Sequence, residues 1–185
     1  FYANNKQEEI TQHKPSEQAY IYFGAPINAT ISDEDSYKAK VAAFILGSSG
    51  FGSRLMEEVR VKRGLAYSAY GRINFAKSHS YFSGHLQTKL ESAKEAQKVV
   101  VEVIEDFIKN GVNEKELISA KKFLLGSEPL RTETLSQRLG RSFQEIYNGK
   151  KLGSSVDDLK SIDALSLEDL NSYIKAHSEI KELSF

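Results

Sequence analysis

The sequence predicts an α+β fold, in which helices pack on one face of a mostly antiparallel sheet. Three observations lead to this fold class. A strand-like segment is followed by two helical segments, and two further strand-like segments come next. A long half dominated by helical patterns follows after residue 90. No internal repeat of roughly 20 to 50 residues is apparent, which argues against a solenoid.

The composition is that of an ordinary folded domain. The 185 residues include 25 basic and 25 acidic side chains, and 40% are apolar. Zero net charge gives no general electrostatic reason to bind nucleic acid or anionic lipid. No apolar run approaches the roughly 18 residues that a membrane span requires. The absence of cysteine excludes disulfides, thiolate zinc sites and cysteine nucleophiles, and it leaves the compartment open.

The domain organisation is predicted to be simple. Residues 1–18 are polar, contain Pro15 and read as an arm or linker, and residues 19–185 read as one domain. The chain starts at Phe1 without a signal segment, and residues 179–185 resemble the start of a strand. We therefore expect the chain to be a fragment of a longer protein.

The first half begins with a strand over residues 20–25, closed by Pro26. Ser32 with Asp35 three residues later predicts the start of a helix that runs to about residue 46. A glycine–serine loop over residues 47–53 leads to a second helix.

This second helix covers about residues 53–62, and Gly64 ends it. Tyr67, Ala69, Ile73 and Phe75 then alternate along one strand, and residues 81–88 form the next. The link over residues 76–79 is short and polar, so the two strands should form an antiparallel hairpin.

The helical half opens with the clearest pattern in the chain. Apolar residues recur at spacings of three and four from Ala93 to Ile108, and Asn110-Gly111 ends this helix. The remaining predicted features are a capping box at Asn113 and Glu116, an interruption at Pro129, a helix over about residues 132–148 followed by Gly149, and two short helices started by Ser155 with Asp158 and by Ser166 with Asp169.

The histidines offer no pair of metal ligands at helical spacing, and we assign no metal site to the chain. His79 and His85 lie six residues apart around the hairpin, so a strand can point both to one face. We favour a solvated or hydrogen-bonded role for them over a metal role. No Gly-x-Ser-x-Gly motif occurs either, and we assign no catalytic residue.

The glycine loop over residues 47–53 precedes a helix, which is the geometry that cradles an anion. However, it lacks the Gly-Lys-Ser/Thr ending of a nucleotide loop and does not follow a strand. We favour the interpretation that Gly47 and Gly50 permit tight turns between two helices.

Arg60 and Tyr67 are the strongest candidates for a site. Arg60 lies near a helix end and Tyr67 at a strand start, so the turn between them brings both toward one edge of the sheet. A cation beside a phenol can hold a peptide carbonyl or a developing oxyanion. The alternative is an arginine on helix-end carbonyls and a half-buried packing tyrosine, and the residues alone favour this alternative.

The block from Ile45 to Ser68, Ile-Leu-Gly-Ser-Ser-Gly-Phe-Gly-Ser-Arg-Leu-Met-Glu-Glu-Val-Arg-Val-Lys-Arg-Gly-Leu-Ala-Tyr-Ser, resembles the signature of the C-terminal, non-zinc-binding domain of the M16 metallopeptidases. This is the pitrilysin and insulinase-like family, and the bacterial short-chain branch is most similar. The resemblance extends from about residue 20 to the end and includes Leu-Ser-Gln-Arg-Leu-Gly-Arg over residues 135–141. Pro129 departs from the family's long helix, and the family's last strand is missing.

The resemblance implies the half-domain fold of this family (LuxS/MPP-like) and two homologous halves that close around a chamber. It places zinc on an inverted His-x-x-Glu-His motif in the other half, which this chain lacks. No cofactor is therefore expected in this chain, and its expected partners are the zinc-bearing half and peptide substrates. The family's second half contributes an arginine and a tyrosine seven residues apart that contact substrate, and Arg60 and Tyr67 match this spacing.

The resemblance thus predicts a non-catalytic domain of a zinc-dependent oligopeptide-degrading peptidase, with the bacterial periplasm or cytoplasm as its compartment. Two alternatives stay open. The chain is a separately encoded subunit of a two-chain protease, or it is a scaffold like the core subunits of the respiratory bc1 complex. The presence of both Arg60 and Tyr67 favours proteolysis over a scaffold role.

Overall fold

A computed structural model describes residues 6–75 and 79–185. Three strands and eight α-helices are formed by these residues, in agreement with the predicted α+β class. In chain order the elements are β1 (Gln18–Ile27), α1 (Ser36–Ala43), α2 (Arg54–Met56), β2 (Ala66–Phe75), β3 (Ser80–Lys89), α3 (Ala93–Asn110), α4 (Glu114–Gly126), α5 (Glu128–Arg131), α6 (Leu135–Tyr147), α7 (Ser154–Ala164) and α8 (Leu167–Ala176). Two π-helical segments, Phe44–Ser48 and Glu57–Lys62, extend α1 and α2.

The sheet has the strand order β1-β3-β2, and both pairings are antiparallel. The predicted pairing of β2 with β3 is confirmed, although residues 76–78 of the predicted link lie outside the described residues. The prediction that Pro26 closes β1 is wrong, because the strand continues to Ile27. β1 lies at the edge of this sheet, where a proline costs no ladder hydrogen bond to a second neighbour.

The core lies between the helices and one face of the sheet. Phe82 of β3 and Phe107 of α3 are among its largest fully buried side chains. The π-helical segment Phe44–Ser48 approaches β2 so closely that a Cβ on Gly47 would lie 2.6 Å from the backbone nitrogen of Gly71. Gly47 is therefore required by helix-to-strand packing, while Gly50 has the positive φ of 69° that suits the predicted turn.

The helix starts that rest on local caps are confirmed in α4 and α8. Asn113 and Glu116 form the full capping box of α4, and Ser166 accepts the backbone N–H of Asp169 in α8. Pro129 lies in the first turn of α5, where the missing N–H costs nothing, so the predicted interruption is also confirmed. The helix predicted from about residue 132 begins at Leu135, because Thr134 is its cap.

Two predicted helix starts are wrong. α1 begins at Ser36 and has no side-chain cap, because the hydroxyl of Ser32 instead contacts the hydroxyl of Thr30 at 2.9 Å and Asp35, at the cap position, makes no capping hydrogen bond. α7 begins at Ser154 and not at the predicted Ser155–Asp158 pair.

The cap of α7 comes from a different helix. Glu145 of α6 accepts the N–H of Gly153 at 2.8 Å and the N–H of Ser155 at 2.9 Å, and it is only 5% exposed.

Glu145→Ala should therefore lower the free energy of unfolding by roughly 2 kcal/mol, because it leaves two donors of the first turn unsatisfied. Its exposed neighbour Gln144 provides the control, since Gln144→Ala should change stability by less than about 0.5 kcal/mol in urea unfolding. Equal midpoints for the two variants would contradict the capping role.

The strand predicted to start at residue 179 is not observed there, because Ser178–Lys181 forms a 3₁₀ helix. Glu179 holds this turn by accepting the N–H of Asn28 at 2.7 Å and contacting the ring of His177 at 3.1 Å. Strand-like pairing begins only at Ser184, which bridges to Gly24 of β1. Phe185 in turn exchanges backbone hydrogen bonds with Glu8 and Ile10, so this part of the polar arm is paired.

The apolar side of α6 has no covering element among the described residues. Four side chains that share this side are between 59% and 75% exposed: Leu135, Leu139, Phe143 and Ile146. A contiguous apolar stripe of this kind on a folded domain is typical of an interaction surface. Across the described ranges, no helix is long and apolar enough to span a bilayer.

Candidate substrate-contact site

The connection between the π-helical segment Glu57–Lys62 and β2 places the two predicted site residues. Gly64 has a φ of 62°, and its N–H donates to the carbonyl of Arg60 at 2.9 Å, which ends the helix. The hydroxyl of the buried Thr88 on β3 donates to the carbonyl of Leu65 and fixes the turn to the sheet. Arg60 thus lies in the last turn of a helix and Tyr67 in the first residues of a strand, as predicted.

Arg60 is half-buried against an aromatic ring. Its guanidinium carbon lies 4.8 Å from the ring centroid of Phe51, a residue of the glycine loop that is 71% exposed. This cation–π contact orients the guanidinium without neutralising it. Phe51 was not identified from the sequence, because nothing in the local pattern shows that the loop folds back over the helix.

Tyr67 is 79% exposed, whereas Ala69 is fully buried. The sequence placed both on one alternating face of the strand. The structure differs because the register of β2 against β3 shifts between Ala66 and Ala69, as a β-bulge does. Bulges redirect side chains, and this one turns the phenol of Tyr67 out of the packing position that the alternative interpretation required.

Within the described residues, neither the guanidinium of Arg60 nor the hydroxyl of Tyr67 has a hydrogen-bond or ion-pair partner in this chain. Both groups are therefore available to a ligand, and Arg60 does not bond helix-end carbonyls as the alternative required. That the two groups meet at one concave surface stays a prediction.

Arg54, six residues before Arg60, has a structural role that the sequence did not reveal. Its guanidinium pairs with both oxygens of Glu116 at 2.6 and 2.8 Å, donates to the carbonyl of Gly111 at 2.7 Å and approaches Asp106 at 3.2 Å. It also lies over the ring of Phe107. These partners belong to α3, α4 and the connection between them, so Arg54 joins α2 to both helices.

The pKa of Glu116 reflects this arrangement. Burial raises the pKa of the carboxyl, but the hydrogen bonds from Arg54 and from the backbone of Asn113 outweigh burial and hold the pKa below its usual range. A carboxyl with a depressed pKa in the folded state contributes stability above its unfolded pKa. That contribution is lost as the pH falls through the folded pKa.

A pocket of about 460 Å³ lies beside this network. It is lined mainly by charged side chains, and its cations are already matched, since Arg54 pairs with Glu116 while Lys62 and Arg63 pair with Glu58. Arg60 and Tyr67 do not line it. The pocket therefore belongs to the ion-pair network that holds α2 and α3 together.

His79 and His85 pack against aromatic rings. His85 lies between Tyr22 at 6.1 Å and Tyr70 at 5.8 Å, and His79 stacks on Tyr81 at 5.7 Å between ring centroids. Over residues 6–75 and 79–185, no three His, Asp or Glu side chains gather as metal ligands would. The zinc that the family resemblance implies is expected in the other half, so its presence in the enzyme does not depend on these side chains.

A comparison with known protein families assigns the chain. The family described as "Peptidase M16 inactive domain" matches residues 1–124, which is most of the chain. This chain belongs to the M16 peptidase family as an inactive domain. The M16 resemblance of the sequence block is thereby confirmed.

The curated relatives of this M16 domain carry two kinds of name. The "Non-peptidase homolog YmxG" of Helicobacter pylori is 46% identical over all 185 residues, and the chain covers 43% of that protein. The "Uncharacterized zinc protease YmxG" of Bacillus subtilis is 26% identical over 89% of the chain, which covers 40% of it. The M16 domain thus spans less than half the length of these relatives.

A solved structure supports the fold of the M16 domain. The crystal structure described as the peptidase M16 inactive domain from Pseudomonas fluorescens superposes with a TM-score of 0.83 at 28% identity. It covers 96% of this chain and 41% of the other. The arrangement of helices on an antiparallel sheet is therefore that of M16 inactive domains.

Proposed function

We propose that this M16 domain is the non-catalytic half of a zinc-dependent peptidase and that Arg60 and Tyr67 bind the peptide substrate. One observation carries the proposal. Two polar groups, seven residues apart at the junction of a helix and a strand, have no partner among the described residues and face outward. A structural arginine and tyrosine would have internal partners, because buried polar groups are usually satisfied within the protein.

The chemistry of the pair suits a peptide undergoing hydrolysis. Arg60 offers a fixed positive charge, and the hydroxyl of Tyr67 offers a neutral donor. Donors that are oriented before the reaction stabilise a developing oxyanion more than they stabilise the ground-state carbonyl. The ring of Phe51 orients the guanidinium of Arg60, because it limits where the guanidinium can move.

The exposed stripe on α6 supports a paired arrangement. An M16 inactive domain implies a zinc-bearing half in the same or a partner chain, and the stripe of Leu135, Leu139, Phe143 and Ile146 offers an apolar surface for it. The sheet face opposite the helices is also exposed and carries Tyr20 and Tyr22. Both surfaces resemble interface cores in being rich in large apolar and aromatic side chains.

Zinc, when bound in the other half, supplies the Lewis acid of the reaction. The contribution of this chain is to hold the extended peptide and to position its carbonyl with Arg60 and Tyr67. The proposal therefore assigns binding and orientation to this chain and bond cleavage to its partner.

The isolated chain should neither bind stoichiometric zinc nor cleave a quenched fluorescent peptide, and activity should appear only beside the zinc-bearing half. The reason is that the described residues provide no ligand set, while the proposal assigns the two substrate contacts to this chain. Metal analysis after chelator washing and a complementation assay measure the two outcomes. Chelator-sensitive hydrolysis by the pure isolated chain would contradict the proposal.

Leu139→Glu in the stripe should weaken complementation, whereas Lys115→Glu on α4 serves as a charge control.

A scaffold role is the second candidate, and one observation favours it. The Helicobacter pylori relative carries the name of a non-peptidase homolog. A scaffold would pair with its other half through the same surfaces and would tolerate loss of Arg60 and Tyr67. The sequence that accompanies this chain distinguishes the arrangements, because a His-x-x-Glu-His half in the same chain indicates a single-chain protease and one in a separate chain indicates a two-chain enzyme.

A further inference from the structure

A second pocket, of about 250 Å³, lies where α1, the end of β2 and the start of α7 meet. Lys40 of α1, Arg72 of β2 and Lys150 contribute cations to its lining, and Asp158 is its single carboxylate. The apolar part of the lining includes Ile73 and Phe75. The pocket therefore combines a positive rim with an apolar wall, and none of the functional roles described above uses it.

The charges of this pocket are not balanced. Lys150 is matched, since its ammonium lies 3.4 Å from Asp158 and 3.0 Å from the hydroxyl of Ser36. Arg72 is exposed, and neither Arg72 nor Lys40 forms an ion pair within the described residues. Glu128, another carboxylate near Lys40, is already paired with Arg141. Two cations are thus left to attract an anion, and guanidinium groups prefer carboxylates that they can bind in a bidentate manner.

The size of the pocket limits the ligand. Pockets for drug-sized molecules occupy roughly 300 to 1,000 Å³, so this one is smaller and suits a single residue. An anion that also brings an apolar group would satisfy both the cations and the wall formed by Ile73 and Phe75. The carboxyl-terminal residue of a peptide has this combination when its side chain is apolar.

The position of the pocket relates it to the first site. Tyr67 and Arg72 lie on the same strand, and five residues of extended chain correspond to about 17 Å. An extended peptide held near Tyr67 along β2 would therefore reach the pocket after about five residues.

We propose that the pocket bounded by Lys40, Arg72 and Phe75 binds the free carboxyl terminus of a peptide whose last residue is apolar. The peptide as occupant rests on the proposed function, whereas the recognition of an apolar carboxylate rests on the pocket alone. Capture of a free terminus would select short peptides and cleavage products over internal segments of long chains.

The test compares N-acetylleucine with N-acetylleucinamide, and an N-acetylated hexapeptide ending in leucine as its free acid and as its amide. Binding to the intact chain is measured by titration calorimetry or NMR. The free acids should bind about tenfold more tightly than the amides, because a hydrogen bond to a charged group contributes about that much. Arg72→Gln and Lys40→Gln should each remove most of this difference.

Lys38→Gln is the matched control, because Lys38 lies on the same helix and does not line the pocket. It should preserve the preference for the acids, and thermal unfolding should be similar for all three variants. Equal binding of acid and amide by the wild-type chain would overturn the proposal. Competition by inorganic phosphate as strong as that by N-acetylleucine would overturn the assignment to an apolar carboxylate.

The same binding measurements distinguish the carboxylate pocket from the proposed function of Arg60 and Tyr67. If Tyr67→Ala weakens binding of the hexapeptide but amidation of the hexapeptide does not, the proposed function is retained and the carboxylate pocket is rejected. Selective binding of N-acetylleucine without any affinity for the hexapeptide would retain the carboxylate pocket and reject the peptide as its occupant.

Discussion

Replacing Tyr67 by Phe in the complete two-half enzyme should lower peptide turnover about a hundredfold, since removing one transition-state donor costs roughly 3 kcal/mol. The same change should leave the melting temperature unaltered. The phenol is 79% exposed and donates to nothing within the described residues, so folding has no interaction to lose. Initial rates at saturating and at limiting substrate, together with thermal unfolding, measure both effects.

The control for Tyr67→Phe is Tyr81→Phe on β3, which removes another exposed phenol hydroxyl at the end of the sheet away from the helix–strand junction. It should retain the wild-type rate. A Tyr67→Phe enzyme that melts normally and cleaves at the wild-type rate would show that the hydroxyl does not contribute to the reaction.

Arg60 should act together with Tyr67. Arg60→Ala alone should also reduce turnover strongly, and the double variant should be little slower than the worse single variant, because groups that serve one transition state are not additive. Strict additivity of the two effects would instead identify Arg60 as an independent charge at the helix end. Phe51→Leu should reduce turnover by less than Arg60→Ala, since it removes the ring that orients Arg60 but keeps the guanidinium.

The elements of this fold that depend on near neighbours in sequence were predictable. The spacing of apolar residues from Ala93 to Ile108 identifies α3, because six of its residues face the core at helical intervals. The capping box at Asn113 and the cap at Ser166 are likewise contained within four residues. The pairing of β2 with β3 followed from their closeness in the chain.

The remaining features depend on residues that are distant in sequence. Glu145 caps α7 from another helix, so the local Ser155–Asp158 pair has no capping role. Pro26 is tolerated because β1 is an edge strand, which only the strand order reveals. For the same reason the sequence located Arg60 and Tyr67 on their elements but did not predict the bulge that exposes the phenol or the ring of Phe51 beside the guanidinium.

Arg54→Ala should give the largest loss of stability, about 3 kcal/mol in the free energy of unfolding. The side chain is only 18% exposed, and its removal leaves Glu116 without the partner that compensates its burial. The variant also exposes the carbonyl of Gly111 and separates α2 from α3 and α4. Urea unfolding followed by circular dichroism measures the difference. Arg63→Ala is the matched control, because Arg63 pairs with Glu58 near the surface and should cost about 1 kcal/mol or less.

The pH dependence of stability provides an independent check on Arg54. In the wild-type chain the depressed pKa of Glu116 means that its contribution is fully present above the unfolded pKa of about 4.3 and is lost as the pH falls below it. Without Arg54, the hydrogen bond from the backbone of Asn113 remains to oppose burial, so the pKa of Glu116 should be less depressed and its contribution to stability smaller. The difference in stability between wild type and Arg54→Ala should therefore be fully present at pH 7 and shrink as the pH falls below the unfolded pKa of about 4.3. A difference that stays constant over this range would show that packing, and not the ion pair with Glu116, accounts for the effect of Arg54.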